Sequence, residues 1–478
     1  MPSDTQRVFL TGASGGMGRA GLEALLAGPE RREVVALVPP TENDQRIMAP
    51  YLRRGVRVIW GDLTHYADVL AGVSGADYVL HVGGLVSPLA DAQPKRTLEV
   101  NVGAARNIVR AIQAQPEPER VRLVYIGTIA QTGHRPAPIH WGRVGDPIKL
   151  STFDTYALSK TIAERLIVDS GLRHWVSLRQ TGIARMAAST RLDPILFHTP
   201  LADVLEWVTP RDSGRLLANV CAPTVPPDFW GRIYNIGGGQ PNRLTNVELF
   251  ERTLRATGLR HPRRALDPRW FALRNFHGHW FSDSDRLEAL VPFRTQTLDE
   301  YLAEQAPLVP WYIRLGSAFP QLVRRRLERV ARGPGGTLHW LAHGDEARIA
   351  AYFGSREAWG AIRGWEAWEA VRPTSTPSQL DHGYDEQLPR EAISLTDVQA
   401  AARFRGGQCL STDMPRGDWR ALLRWQCHAG HEFTASLNLI LMGGHWCPTC
   451  LADPASYPQL AQHSAFFRQV WRPAPDRP

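Results

Sequence analysis

Val8-Phe9-Leu10-Thr11-Gly12-Ala13-Ser14-Gly15-Gly16-Met17-Gly18 joins a short apolar run to a glycine-rich turn, and Arg19 to Leu26 follows as a helix that Gly28-Pro29 ends. An apolar run stopping at such a turn has the pattern of a strand buried in a parallel sheet. Gly12, Gly15 and Gly18 form GxxGxxG between strand and helix. Glycine accepts the backbone angles of the turn and lets a pyrophosphate approach the unpaired amides at the helix N-terminus. The spacing therefore predicts a dinucleotide site made by Gly12, Ser14, Gly15, Gly16, Met17 and Gly18.

The segments that follow keep the same rhythm. Strands are expected at Val34–Val38, at Val56–Trp60 before Gly61-Asp62-Leu63, and at Tyr78–Val82 before Gly83-Gly84. A helix is expected over Asn101–Ala114, a strand over Arg122–Ile126 before Gly127-Thr128, a helix over Thr155–Asp169 and a strand over Trp175–Leu178. This alternation predicts an α/β fold, a parallel sheet covered by helices on both faces. From about residue 185 the pattern loosens, with a strand-like Arg232–Ile236, and reads as a smaller substrate-facing lobe. Residues 300–372 look helical, Thr374 to Pro389 reads as a linker, and a small Cys/His unit follows. The expected division is 1–300, 301–395 and 396–478.

Within the Thr155–Asp169 helix, Tyr156 and Lys160 stand at i and i+4 and project from one face. An ammonium beside a phenol favours the phenolate and lowers the tyrosine pKa towards neutrality. Such a tyrosine exchanges a proton with a hydroxyl whose carbon exchanges hydride. Thr128, at the end of the fifth strand, offers a hydroxyl to hold the substrate oxygen. Thr128, Tyr156 and Lys160 are the expected catalytic set.

These residues resemble the extended short-chain dehydrogenase/reductases, the group containing NAD-dependent epimerases and dehydratases. The resemblance covers about residues 5 to 300. It rests on Gly12/Gly15/Gly18, Asp62-Leu63, His81-Val82-Gly83-Gly84, Asn101, Gly127-Thr128, Tyr156/Lys160, Leu178-Arg179 and Tyr234-Asn235-Ile236-Gly237. It implies a Rossmann-type doubly wound sheet. It also implies that Asp62 bonds the adenine amino group, Leu63 packs on the ring, and Val82 and Gly83 run along the cofactor. Asn101 would lie in the helix bracing the active site, Lys160 would also bind the nicotinamide ribose, and Gln180 is placed near the nicotinamide by position.

Departures from the family pattern narrow the chemistry. The 4,6-dehydratases carry an acidic pair after the active-site threonine, where this chain has Ile129-Ala130. Many sugar-nucleotide enzymes place an asparagine and a proline around the strand after the tyrosine helix, where this chain reads Arg179-Gln180-Thr181-Gly182-Ile183. The expectation is a cofactor-dependent interconversion of a carbonyl and an alcohol on a small organic substrate. An NAD-dependent epimerase is the alternative within the enzyme class, and an NAD(P)-sensing regulatory protein is the alternative outside it. The second strand ends in Val38-Pro39-Pro40-Thr41-Glu42, with neither acid nor base at the expected point. That leaves both NAD and NADP open, with Arg46 or Arg19 in reach of a phosphate and Glu42 of a ribose. His134, Trp141, Arg143, Asp146, Asn275 and His277 are further candidates for lining the substrate pocket.

Of five cysteines, Cys409, Cys427, Cys447 and Cys450 crowd near the C-terminus. Cys427-x3-His431 and Cys447-x2-Cys450 supply three thiolates and one imidazole, a donor set for a tetrahedral ion, zinc by default and structural in role. The stretch 403–450 resembles a zinc-ribbon or treble-clef module with ligands at those four positions. Cys409 is expected in the core, and His428 and His445 are rivals to His431.

Hydrophobic content of 43% and charged content of 21% suit a soluble globular protein. No apolar run approaches the roughly 18 residues that span a bilayer, and the N-terminus lacks a signal-like apolar core. A cytoplasmic protein without membrane contact is expected, and a homodimer is left open. The net charge of +8 favours acidic ligands such as a phosphorylated cofactor. It does not establish nucleic-acid binding, which is left open though not expected, because the arginines are scattered, and Arg324-Arg325-Arg326 reads as a solvated helix face.

Overall fold

Successive residues of a strand point to opposite faces of a sheet, so Phe9 and its neighbours Val8 and Leu10 must enter different cores. They do so in the computed structural model, which describes residues 5–186, 192–365 and 373–471. Along the chain come β1 (Gln6–Thr11), α1 (Gly16–Ala27), β2 (Arg32–Val38), α2 (Glu42–Leu52), β3 (Arg57–Trp60), α3 (Tyr66–Val73) and β4 (Tyr78–His81). They are followed by α4 (Pro94–Gln113), β5 (Arg122–Thr128), α5 (Thr155–Val168), β6 (His174–Gln180), α6 (Pro210–Asn219) and β7 (Arg232–Ile236). The seven strands form one parallel sheet in the order β3-β2-β1-β4-β5-β6-β7. This is the doubly wound sheet the alternation predicted.

One face packs Val8, Leu10, Val34 and Leu178 against Leu22 and Leu25 of α1 and Leu216 and Leu217 of α6. Two glycines permit the close approach of these helices. A β-carbon on Gly21 would meet Leu217 Cδ1 at 2.5 Å, and one on Gly214 would meet the Ala20 carbonyl carbon at 2.4 Å. The opposite face packs Phe9, Leu123, Tyr125 and Trp175 against Ala105 and Ile108 of α4 and Ala163 and Ile167 of α5.

Two helix starts differ from the sequence expectation. α4 begins at Pro94 rather than Asn101, because a proline at the first helical position is already set in helical φ, whereas the polar Lys95-Arg96 hides the apolar period. α1 begins at Gly16, inside the glycine turn itself.

The smaller lobe pairs Val204–Glu206 with Arg243–Thr245 and adds α7 (Asn246–Ala256), α8 (Leu298–Gln305), α9 (Trp311–Ser317) and α10 (Pro320–Arg332). Glu206 is fully buried at its centre, where Arg243 Nε (2.8 Å), Ser284 Oγ (2.6 Å) and two backbone amides donate to its carboxylate. Short helices at Thr337–His343, Glu346–Tyr352 and Arg356–Gly360 follow. Residues 366–372 of the stretch expected to be helical and the tail 472–478 lie outside the described residues.

Thr374 to Pro389 is irregular but docked rather than loose. His382 is buried between Asp146 Oδ1 (2.9 Å) and Glu386 Oε1 (2.8 Å), and the Thr374 carbonyl accepts from Trp141 Nε1 at 3.0 Å. Beyond it come α11 (Leu395–Phe404) and an antiparallel sheet of β8 (Gly407–Cys409), β9 (Leu422–Cys427) and β10 (Glu432–Ser436). Val398, Trp425, Leu439 and Ile440 of this unit share one apolar core with Trp175 and Ile233 of the large sheet. Among the described residues no helix is long and apolar enough to cross a membrane.

Candidate active site

The glycine turn forms the floor of a cleft of about 600 Å³ beyond the C-terminal ends of β1, β4 and β5. Gly12 has φ of +72°, and a β-carbon there would lie 2.7 Å from Gly83 Cα. A β-carbon on Gly18 would lie 2.0 Å from the Gly12 carbonyl oxygen, so both positions require glycine for close packing. Thr11 Oγ1 accepts the Gly83 amide at 2.9 Å and lies 3.0 Å from His81 Nδ1, tying the ends of β1 and β4 together. Gly12, Ser14, Gly15, Gly16, Met17 and Gly18 all line the cleft, as do Asp62, Leu63, Val82, Gly83 and Gln180. The floor thus offers unpaired amides at the α1 N-terminus and a cradle that any side chain would fill, which fits a dinucleotide pyrophosphate.

Asn101 lies behind this wall. It is buried, its Nδ2 donates to Ser159 Oγ (2.8 Å) and to the Leu85 carbonyl (2.9 Å), and its Oδ1 accepts the Leu85 amide (2.7 Å). Its amide is consumed in bracing α5 against the loop after β4. The Asp62 carboxylate is also engaged, by the Thr64 amide (2.8 Å), the Thr64 hydroxyl (2.8 Å) and Arg96 Nη2 (2.9 Å). Gln180 is steered by Ser213, whose hydroxyl donates to its Oε1 at 3.4 Å. Arg185 was missed by sequence reasoning. A β-carbon on Gly16 would sit 2.2 Å from its Nη2, so the guanidinium lies over the start of α1, where an anion gains from positive charge.

Asp154 caps α5 by accepting the Ala157 amide at 2.7 Å, which sets Tyr156 and Lys160 in its first turns. Both line the cleft. Thr128 is near enough to Tyr156 to act on its titration, and its Oγ1 accepts the Ala130 amide at 3.2 Å. The Tyr156 phenol does not shift the way the spacing predicted. Burial pushes its pKa up to about 12, the Asp154 carboxylate adds to that, and Thr128 opposes it. The Lys160 amine donates to the Ile126 carbonyl at 2.6 Å, and burial brings its own pKa down to about 8. The cleft therefore presents a neutral phenol, a proton donor at neutral pH.

Glu164, one turn beyond Lys160, is fully buried. Arg179 Nη2 (2.6 Å), Ser177 Oγ (2.6 Å) and Gln131 Nε2 (3.1 Å) donate to it, and His445 Nε2 lies at 2.8 Å. Burial works against its ionisation, but Arg179 and His445 hold the carboxyl well below the usual carboxylate range. Most of the pocket candidates serve elsewhere. Asp146 pairs with buried Arg135 (2.8 Å) and His382, Arg143 with Glu386 (2.6 Å), and His134 with Asp203 (2.9 Å). Asn275 and His277 border the entry to α5. The Asn275 side chain exchanges hydrogen bonds with the Thr152 backbone, and His277 Nδ1 lies 3.9 Å from Asp154.

Cys427 ends β9, His431 immediately precedes β10, and Cys447 and Cys450 flank and occupy the short helix Pro448–Ala452. Their donor atoms all lie within 4.8 Å of one another. His431 Nδ1 is 3.5, 3.6 and 3.4 Å from the sulfurs of Cys427, Cys447 and Cys450, and the Cys427 and Cys450 sulfurs are 3.8 Å apart. A tetrahedral ion with metal–sulfur bonds of about 2.3 Å would give edges of roughly this length. Cys409 is packed in β8 opposite Trp425. His428 stacks on His463, and His445 is turned to Glu164.

The family model described as NAD dependent epimerase/dehydratase family matches residues 8–179. Over 138 residues the chain is 33% identical to 3 beta-hydroxysteroid dehydrogenase type 7 of Homo sapiens, a match covering 27% of this chain and 37% of that protein. Over 221 residues it is 28% identical to the 4-hydroxy-2-methyl-3-oxo-4-farnesyl-3,4-dihydroquinoline-1-oxide ketoreductase of Stigmatella aurantiaca, covering 45% of this chain and 60% of that one. The matches thus span less than two thirds of these relatives. A solved dTDP-glucose 4,6-dehydratase from Streptomyces venezuelae, with NAD bound, superposes with a TM-score of 0.50 at 22% identity, covering 66% of this chain and 100% of that chain. That likeness speaks for the fold.

Proposed function

Since residues 8–179 belong to the NAD dependent epimerase/dehydratase family, we propose that the protein is an NAD(P)-dependent oxidoreductase interconverting a carbonyl and an alcohol on a small organic substrate. The observation that carries this reading is the placing of Tyr156 and Lys160 in the wall of one cleft with the glycine turn, with Thr128 at the end of β5 beside Gly127 of that wall. Likeness to a ketoreductase supports the same chemistry.

In this mechanism the amides at the start of α1 and the Arg185 guanidinium hold the pyrophosphate, and Gln180 borders the nicotinamide end. When bound, the nicotinamide supplies or accepts the hydride. Thr128 orients the substrate oxygen. Tyr156, kept protonated by its surroundings, donates its proton to that oxygen as the carbonyl is reduced. In the reverse reaction the same oxygen, as the phenolate, takes the hydroxyl proton. Lys160 fixes the turn of α5 that carries Tyr156. Ile129-Ala130 supply no acid or base for removing water.

We propose further that Cys427, His431, Cys447 and Cys450 hold one structural zinc ion, which would tie the β9–β10 turn to the short helix Pro448–Ala452.

A panel of carbonyls tested with reduced NAD and reduced NADP, followed at the nicotinamide absorbance, tests the function. Carbonyl-dependent loss of absorbance is expected. A substrate isomerised with no net change in cofactor would instead fit an epimerase.

A further inference from the structure

α9 and α10 carry an apolar surface that none of the described residues covers. Trp311, Tyr312 and Leu315 are 75, 50 and 58% exposed, and Leu308, Phe319 and Leu322 are 68, 56 and 54% exposed. Single exposed apolar residues are ordinary on a soluble surface, but six large ones in one elbow of chain mark a contact surface. Trp311 and Leu315 lie four apart on one side of α9. On α10, Leu322 begins a stripe that continues through Arg325, Arg326 and Arg329, all exposed. Between Glu304 and Glu328 the sequence has no carboxylate, while Arg314, Arg325 and Arg326 fall in that interval and are exposed; Arg324 is turned to Asp267 at 2.8 Å. An aromatic and aliphatic tip backed by the exposed Arg325, Arg326 and Arg329, with Glu328 taken up by Arg332 at 2.8 Å, complements an anionic lipid surface. A second copy meeting the same patch about a twofold axis would set arginine against arginine.

Behind the elbow lies a cavity of about 490 Å³, in the range of small-molecule sites. Leu254, Leu302, Ile313 and the exposed Tyr312 and Leu322 are among its lining residues. Ile183 and Arg185 line both this cavity and the cofactor cleft.

We propose that the α9–α10 elbow docks on an anionic bilayer and that the cavity behind it takes the apolar body of a membrane-dissolved carbonyl or alcohol. The choice of substrate class rests on the redox reading of the neighbouring cleft. The elbow lies on the surface without spanning it, so the lack of a spanning segment, from which absence of membrane contact was expected, does not bear on it.

The test is flotation of the full chain with vesicles of phosphatidylcholine plus phosphatidylglycerol, against phosphatidylcholine alone. The protein should float with the mixed vesicles. Trp311→Ser/Leu315→Ser/Phe319→Ser, all at exposed positions, should lose vesicle affinity by at least about tenfold. Arg325→Glu/Arg329→Glu should lose the preference for the anionic lipid. A wild-type protein that stays with neither vesicle, or a triple variant that floats equally well, would overturn the docking surface. So would a triple variant that elutes at half the wild-type mass without lipid, which would make the patch a contact between copies. The uncharged fluorescent probe N-phenyl-1-naphthylamine reports the cavity. Leu254→Trp and Leu302→Trp should each weaken its binding at least about fivefold, and unchanged binding in both would overturn the cavity. Neither readout requires turnover, so failure of the redox reading would appear separately, as flotation and probe binding without carbonyl reduction.

Discussion

His445 Nε2 lies 2.8 Å from Glu164 Oε1, and both side chains are closed off from solvent. Tyr156, Lys160 and Glu164 recur every four residues along α5, so His445 reaches the polar core one turn behind the Lys160 amine. The C-terminal unit is thereby bonded to the helix that presents the phenol. His445→Ala removes one partner from a buried carboxylate and is expected to destabilise the protein by about 2–4 kcal/mol. Urea unfolding checks this. A change within a few tenths of a kcal/mol would mean that Arg179, Ser177 and Gln131 satisfy Glu164 without it.

Elemental analysis should find one zinc per chain, and Cys450→Ser should abolish it. Because the Cys/His unit shares its core with Trp175 and Ile233, chelation should lower the melting temperature of the whole chain and cost activity with it. Chelation that melts only the C-terminal unit would separate the two.

The Asp154 carboxyl is pushed up to about 7 by burial and by the neighbouring Asp91 carboxylate. A carboxyl raised from its ordinary 3.8 binds its proton more tightly in the folded chain. Its contribution is therefore most favourable below about pH 4, is lost as pH rises towards 7, and is constant above that. The shift corresponds to about 4 kcal/mol as an upper bound. Asp154→Asn keeps an oxygen for the Ala157 amide and should stabilise the protein at pH 8 while changing little at pH 4. Equal effects at both pH values would contradict the assignment.

Arg185 lies against Gly16 at the start of α1. Arg185→Ala should weaken NAD(P) binding by about tenfold, the scale of one charge-assisted contact, and leave the melting temperature unchanged. Cofactor titration by fluorescence measures it, and unaltered affinity would place the guanidinium outside the phosphate site.

The strand–turn–helix at the N-terminus was legible because two local signals coincide there, an apolar run and glycines that only close packing requires. The parallel sheet was legible from the alternation of elements. The start of α4 was not, since Pro94-Lys95-Arg96 carries no apolar period. The direction of the Tyr156 shift was hidden for a different reason. Spacing puts Lys160 on the same helix face but says nothing of the Ile126 carbonyl that takes its amine. Asp146 and Arg143 looked like pocket residues because their partners, His382 and Glu386, are more than 200 positions away. Arg185 reaches the glycine turn only through the fold, and the arginines of α10 read alike whether the helix face meets water or lipid.

The decisive comparison is Tyr156→Phe, which removes one oxygen from the wall of the cleft. NAD(P) affinity should match wild type while carbonyl reduction falls by at least about a hundredfold, the scale of lost general-acid catalysis. A phenylalanine variant that turned over at the wild-type rate would show that the proton comes from another group, and the redox mechanism built on Tyr156 would be wrong.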